Sequence, residues 1–304
     1  MSGSVPPTAR AIDHLILAVT NLGSAEATFA GSLGFQVSGG GVHPQFGTAN
    51  RLIVLESGYI ELISSQPGAT PSGFIGAMLR QDRDGWVGYA LETTDPAAAA
   101  TLLRERGFTV DGPDTGRLAT TNGYDRGWQT VRLREGAEQG LPFLIRHDQS
   151  GPEHRRLLAG AEGPGPQPNG ARSIASLTIA VRDLTEASGR YQHLFGLTAA
   201  GVAEDDSMLQ ARVLPLLLPS GTAVKLAAPL SSDSGPVAEA LARAGEGLFA
   251  SALAVEDLPG SVRTLRGSGV GVRVDEPNGV LVAAHLHIRD THGARISLVG
   301  MHSS

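Results

Sequence analysis

Ala11-Ile12-Asp13-His14-Leu15-Ile16-Leu17-Ala18-Val19 decides how the rest of the chain reads. The run is strand-sized and almost wholly apolar. Within it His14 can bind a metal or move a proton. Downstream, Ser24 is placed to cap a helix through Ser32, and Gly34 to end it. Phe35 to Val42, Arg51 to Leu55 and Tyr59 to Ile63 then read as short strands, the last two joined at Ser57-Gly58. A βαβββ unit results.

The pattern recurs. A second unit opens at Trp86 to Thr93 and has a helix over Pro96 to Arg106, with Pro at its start and Gly107 at its end. Its strands fall near Phe108 to Val110, Gln129 to Leu133 and Phe143 to Arg146. The stretch 149–172 breaks the rhythm. Its Gly163-Pro164-Gly165-Pro166-Gln167-Pro168-Asn169-Gly170 cannot be regular structure, so the stretch reads as an interdomain linker with a short helical piece at Glu153 to Ala159. A third unit opens with Ser173-Ile174-Ala175-Ser176-Leu177-Thr178-Ile179-Ala180-Val181-Arg182-Asp183-Leu184, which repeats the Ala-Val-x-x-Leu ending of the first. A fourth opens at Ala250 and ends on Arg295-Ile296-Ser297-Leu298-Val299. The expected architecture is α+β. It has four βαβββ modules in two half-open cupped domains, 10–148 and 173–301.

Composition narrows the function classes. The 304 residues are 41% hydrophobic but only 5% aromatic, so the cores must be built from aliphatic side chains. The 24 basic and 30 acidic residues leave a net charge of −6, which disfavours nucleic acid as a partner. With no cysteine, thiolate metal sites, disulfides and a cysteine nucleophile are excluded. No apolar run approaches the roughly 20 residues of a membrane span. Nor does the N-terminus look like a signal peptide, so a cytoplasmic location is expected.

The Ile12-Asp13-His14-Leu15 start, the Tyr59-Ile60-Glu61-Leu62-Ile63 strand and the Asp290-Thr291-His292-Gly293-Ala294-Arg295 closing turn resemble the vicinal oxygen chelate superfamily. That group includes glyoxalase I, bleomycin-resistance proteins and type I extradiol dioxygenases. Gly40 to Arg51 and Leu141 to Ile145 are similar to its glyoxalase-like domain branch. The resemblance implies cupped sheets around a divalent metal (Zn, Fe, Mn or Ni), held by residues of a module's first and last strands. It puts His14 and Glu61 at those positions. The corresponding residues elsewhere are Val87 or Gly88 with Leu144, Ser176 with Lys225, and Ala250 with Ser297. With two ligands matched rather than about three, a metal is a weaker expectation than the fold.

His14 and Glu61 are therefore the candidate catalytic pair, as metal ligands or as a metal-free acid and base. Desolvation in an apolar cup is expected to raise the Glu61 pKa. The loop from His43 to Arg51 offers His43, Thr48, Asn50 and Arg51 as substrate contacts, although Pro44, Gly47 and Asn50 are also ordinary turn residues. Lys225, the single lysine, and the His285-Leu286-His287 pair are more simply structural. If the first module shared a sheet with the fourth, those histidines would approach His14. Tyr124, Asp125, Arg126 and Trp128 are candidates for a rim over the first cup. The expected partner is a small oxygenated molecule, with no nucleic acid and no membrane, in a monomer or homodimer. The expected activity is glyoxalase-like proton transfer or metal-assisted enolisation. The alternatives are metal-free sequestration of a small molecule and, more weakly, ring-cleaving dioxygenation.

Overall fold

Two central antiparallel strand pairs, one in each half of the chain, organise the protein. The computed structural model describes residues 6–79, 83–121, 123–134, 136, 139–160 and 163–301. In the first half the strands are β1 (Ala11–Ala18), β2 (Val37–His43), β3 (Thr48–Leu55), β4 (Gly58–Ser65), β5 (Gly85–Glu92), β6 (Val110–Ala119), β7 (Asp125–Leu133) and β8 (Phe143–His147). They form one sheet in the order β2-β3-β4-β1-β5-β8-β7-β6. The helices of this half are α1 (Leu22–Ala27), α2 (Gly73–Leu79), α3 (Pro96–Glu105) and α4 (Gly151–Ala159).

The second half contains β9 (Ala171–Ala180), α5 (Leu184–Phe195), β10 (Thr198–Ala199), β11 (Glu204–Asp206), β12 (Ala211–Leu217) and β13 (Ala223–Pro229). It continues with α6 (Pro236–Ala244), β14 (Gly247–Val255), α7 (Leu258–Gly267), β15 (Val272–Asp275), β16 (Ala283–Leu286) and β17 (Arg295–Gly300). Its sheet runs β10-β12-β13-β9-β14-β17-β16-β15, with β11 also paired to β12. Modules one and two thus share one sheet, and three and four the other. The alternative pairing of the first module with the fourth does not occur.

Each module carries the same helix start. Asn21, Asp95, Asp183 and Asp257 accept hydrogen bonds from the backbone N–H groups of Ser24, Ala98, Glu186 and Gly260, at 2.8–3.0 Å. The first cap is therefore Asn21, and Ser24 lies within the first turn. Past α1 the chain widens into a π turn over Thr28–Ser32, and Gly34 leaves it at φ +65°.

The strands alternate between two surroundings. On one face, Leu15, Leu17, Tyr89 and Leu91 join a core that continues into the second half through Leu177, Tyr191 and Leu253. Buried Tyr89 and Tyr191 meet hydroxyl to hydroxyl at 2.5 Å. A second tie is polar. His292 Nδ1 lies 2.6 Å from Asp84 Oδ2, and its Nε2 lies 3.1 Å from Thr28 Oγ1.

Residues 149–172, expected as a linker, are fastened to the first sheet. Buried His154 and Leu158 of α4 pack there. Gln167 bridges Gln36 N–H and Val54 C=O, and Asn169 donates to Leu33 C=O at 2.8 Å. Arg172 already belongs to β9.

Candidate active site

The concave face of the first sheet encloses a cavity of about 350 Å³. Its polar end begins with an irregularity in β1. The ladder pairs Ile12 with Leu91 and His14 with Ala90, so Asp13 is an extra residue, a β-bulge. The bulge brings consecutive side chains together. Asp13 Oδ1 lies 2.6 Å from His14 Nδ1 and 3.2 Å from His147 Nε2. A carboxylate only accepts, so both nitrogens carry the hydrogen. This leaves His14 Nε2 facing Glu61 Oε2 at 3.7 Å. Burial alone would raise the Asp13 pKa, but His147 and His14 hold it well below the ordinary carboxylate range.

Glu61 reaches the same place from β4, which runs parallel to β1. Its Oε1 accepts a short hydrogen bond from Asn50 Nδ2, and Asn50 Oδ1 accepts from Gly41 N–H at 2.8 Å. Gly40 permits this approach. Its φ is +80°, and a Cβ there would sit 2.2 Å from the Asn50 carbonyl oxygen. Burial pushes the Glu61 pKa up, as expected, but His14, His43, Arg126 and the Asn50 hydrogen bond outweigh it. The net shift is downward, so the carboxyl stays ionised.

Of the loop residues, His43 lines the cavity and lies 3.1 Å from Thr48 Oγ1 through Nδ1. Burial lowers its pKa, with Glu61 opposing and Arg126 reinforcing, which favours the neutral ring. Thr48 and Asn50 are fully buried behind His43 and Glu61. Arg51 is not brought to the site. Residues one apart on a strand face opposite ways, and Arg51 pairs with Glu26 at 2.9 Å outside the cup.

Several contributors were not singled out in sequence. Tyr59 stacks on His14 at 4.6 Å between centroids. His154 stacks on His147 at 3.5 Å, and its pKa falls to about 2, chiefly through burial and then through His147. Arg126 and Trp128 of β7 belong to the cavity wall itself rather than to an outer rim. A Cβ at Gly116 would meet the Trp128 ring at 2.3 Å, so the indole lies against the β6 backbone. Phe46, Phe74, Phe143 and Ile145 make the apolar remainder.

Ladder register shows what the other modules hold. His14, Gly88, Ser176 and Ala250 each lie seven positions before their helix caps (14 to 21, 88 to 95, 176 to 183, 250 to 257). Two residues on, Ile16 pairs with Glu61, Ala90 with Phe143, Thr178 with Lys225 and Ala252 with Ser297. The second-module counterpart of Glu61 is therefore Phe143. Leu144 points into the core. The Phe143 ring stands edge-on to His14, with centroids 5.6 Å apart. Among the described residues, no group of three or more His, Asp or Glu side chains is arranged to hold a metal ion. Two donors beside a phenyl ring do not fit the roughly three-ligand centre of a catalytic metal, so no step is derived through one.

The second cup offers less. His285 Nδ1 lies 2.8 Å from Ser297 Oγ. His287 lies past the end of β16, where it caps a 3₁₀ turn. Neither approaches His14. Helix α6 packs Val237 and Leu241 against Ala180, Ala211, Ala227 and Phe249 of the sheet.

Comparisons with known proteins agree with this architecture. A family profile described as "Glyoxalase-like domain" matches residues 12–195. A hypothetical protein from Staphylococcus aureus is 14% identical, with a TM-score of 0.64 over 95% of this chain and 99% of that one. A mutant of 4-hydroxymandelate synthase from Streptomyces coelicolor is 15% identical, with a TM-score of 0.67 over 98% of this chain and 94% of that one. Methylmalonyl-CoA epimerase from Mycobacterium tuberculosis is 26% identical but covers only 44% of this chain (91% of its own), with a TM-score of 0.39. No curated protein matches the sequence. No helix among the described residues is long and apolar enough to cross a membrane. With the profile matching across the first sheet and into α5, the chain belongs to the glyoxalase-like domain family.

Proposed function

We propose that the first cup catalyses proton transfer at a carbon next to a carbonyl group of a small molecule, with Glu61 as the base. The observation that carries this reading is the asymmetric hold on Glu61. Asn50 fixes Oε1, while Oε2 is left 3.7 Å from His14 Nε2 at the wall of a cavity. Such a carboxylate is ionised, oriented and open to substrate on one side. Glu61 takes the proton from carbon, and the C–H electrons move into the carbonyl to form an enolate. His14, oriented by Asp13 through Nδ1–H, presents Nε2 to the enolate oxygen and, as the imidazolium, donates a hydrogen bond to it. Return of the proton from Glu61, on its own face of the enolate, to a neighbouring atom completes an isomerisation. The same chemistry needs no metal.

The test is exchange of carbon-bound hydrogen in D₂O, followed by NMR over a panel of small carbonyl compounds, with wild type and Glu61→Gln. The reading expects exchange that survives chelation and falls at least about 100-fold in the variant. Exchange that is lost on chelation would assign the chemistry to a metal. Tight binding with no exchange across the panel would leave a sequestering protein, which the apolar cavity also suits.

A further inference from the structure

Arg126 is the feature of the cavity that the proton-transfer reading leaves unused. It is 5% exposed, and its side chain lines the cavity. Its Nε has no hydrogen-bond partner, and the guanidinium forms no ion pair or hydrogen bond with any described residue. Its guanidinium lies over the Trp128 ring, 5.3 Å from Cζ to centroid, within electrostatic reach of Glu61. The other arginine of the wall is different. Arg132 is engaged by Asp114 and by Thr130 Oγ1, and lies over Phe74. A buried guanidinium with no hydrogen-bonded partner is costly to keep. Arginine is also the side chain whose planar fork matches a carboxylate with two parallel hydrogen bonds. The lone fork therefore lacks a partner of the ligand's making.

We propose that the ligand is a small organic monocarboxylate with an apolar body, its carboxylate paired to Arg126 and its reactive carbon beside Glu61. Rings or branched chains of the ligand would fill the space among Phe46, Phe74, Phe143 and Ile145. The cavity, about 350 Å³, lies near the small end of ligand sites, which run roughly 300–1,000 Å³. Charge argues for a monoanion. Arg126 alone among the wall's arginines has no hydrogen-bonded acid, so a phosphate dianion would place more uncompensated charge beside the ionised Glu61 than a carboxylate does. The arrangement also links binding to reactivity. Arg126 is one of the groups that depress the Glu61 pKa. A substrate carboxylate that neutralises Arg126 removes that pull and makes Glu61 a stronger base once substrate is seated.

This substrate class rests on the proton-transfer reading for its reactive carbon but not for its binding, so the two are tested separately. Isothermal titration would compare three acid–amide pairs: acetate and acetamide, phenylacetate and phenylacetamide, 3-phenylpropionate and 3-phenylpropionamide. For at least one pair the acid is expected to bind wild type ten-fold or more tightly than its amide. Arg126→Met should erase that preference, Arg126→Lys should keep part of it, and Glu61→Gln should keep or strengthen it. Removing an unpaired buried cation should also raise the melting temperature of ligand-free Arg126→Met, whereas a structural arginine would lower it. Equal binding of acid and amide in every pair overturns the proposal, whether or not the variants fold. So does a preference that survives Arg126→Met. Acid preference without deuterium exchange would uphold the carboxylate site and sink only the role of Glu61 as base.

Discussion

The two cups of this molecule are built on the same ladder and lined by different chemistry. His14 and Glu61 of the first cup correspond in register to Ser176 and Lys225 of the second. The first sheet encloses a cavity bounded partly by α2, whereas α6 of the second half lies on a floor of alanines and Phe249. The shared features are those that make the fold: parallel outer pairing, central antiparallel pairing and an Asx-capped helix after each opening strand. The differing features face the concave side, where a strand position accepts a polar or an apolar side chain without disturbing its ladder. Fold and site are thus separable in one chain.

The largest effect should come from the matched pair of substitutions. Glu61→Gln is expected to lower deuterium exchange by about 10²–10⁴-fold, the usual contribution of a positioned base. Lys225→Met, at the equivalent position, should change it less than twofold. Comparable losses from both would mean that the second cup is also a working site. Next is Asn50→Ala, which removes a hydrogen bond made to the charged form of Glu61. Its pKa should rise, moving the acidic limb of the rate–pH profile upward. An unmoved limb would mean that Asn50 does not tune the base.

A third comparison concerns acid stability. His154 has its folded-state pKa depressed to about 2, so the unfolded chain binds that proton first as pH falls. The stability tied to its neutral form is full above about pH 6.5 and drains as pH drops toward 2. At pH 5 the loss is about 2 kcal/mol. His154→Phe keeps an aromatic ring against His147 and should melt less steeply with acid than wild type. An identical pH dependence would show that α4 releases the ring before it titrates. The smallest effect is expected from His285→Ala in the second cup, under about 1 kcal/mol by denaturant melts for one half-buried hydrogen bond.

The four modules were legible because strand bulk, helix caps and glycine stops repeat along the chain; His14 stood out on its apolar strand, and the family resemblance pointed to Glu61. The misplacements have physical reasons. In Leu141-Pro142-Phe143-Leu144-Ile145 nearly every residue is apolar, so nothing local says which ones face the cup, and a one-residue slip exchanged Phe143 for Leu144. Expecting β3 to begin at Arg51 rather than Thr48 hid the alternation that separates Asn50 from Arg51. Asp13 went unnoticed because regular alternation sends it away from His14, and only the bulge reverses that. His147 and His154 meet through a helix inside a segment rich in glycine and proline, a contact that no local pattern announces.

The hydroxyl contact between Tyr89 and Tyr191 bears on inheritance. The first sheet owns the cavity, but its convex side is completed by a helix from the other half, and the family profile likewise runs past the sheet to residue 195. A descendant that discarded the second half would expose that aliphatic surface and strand a buried phenol. The frame of the second half is therefore also the other wall of the first half's core, whatever the second cup's own lining carries.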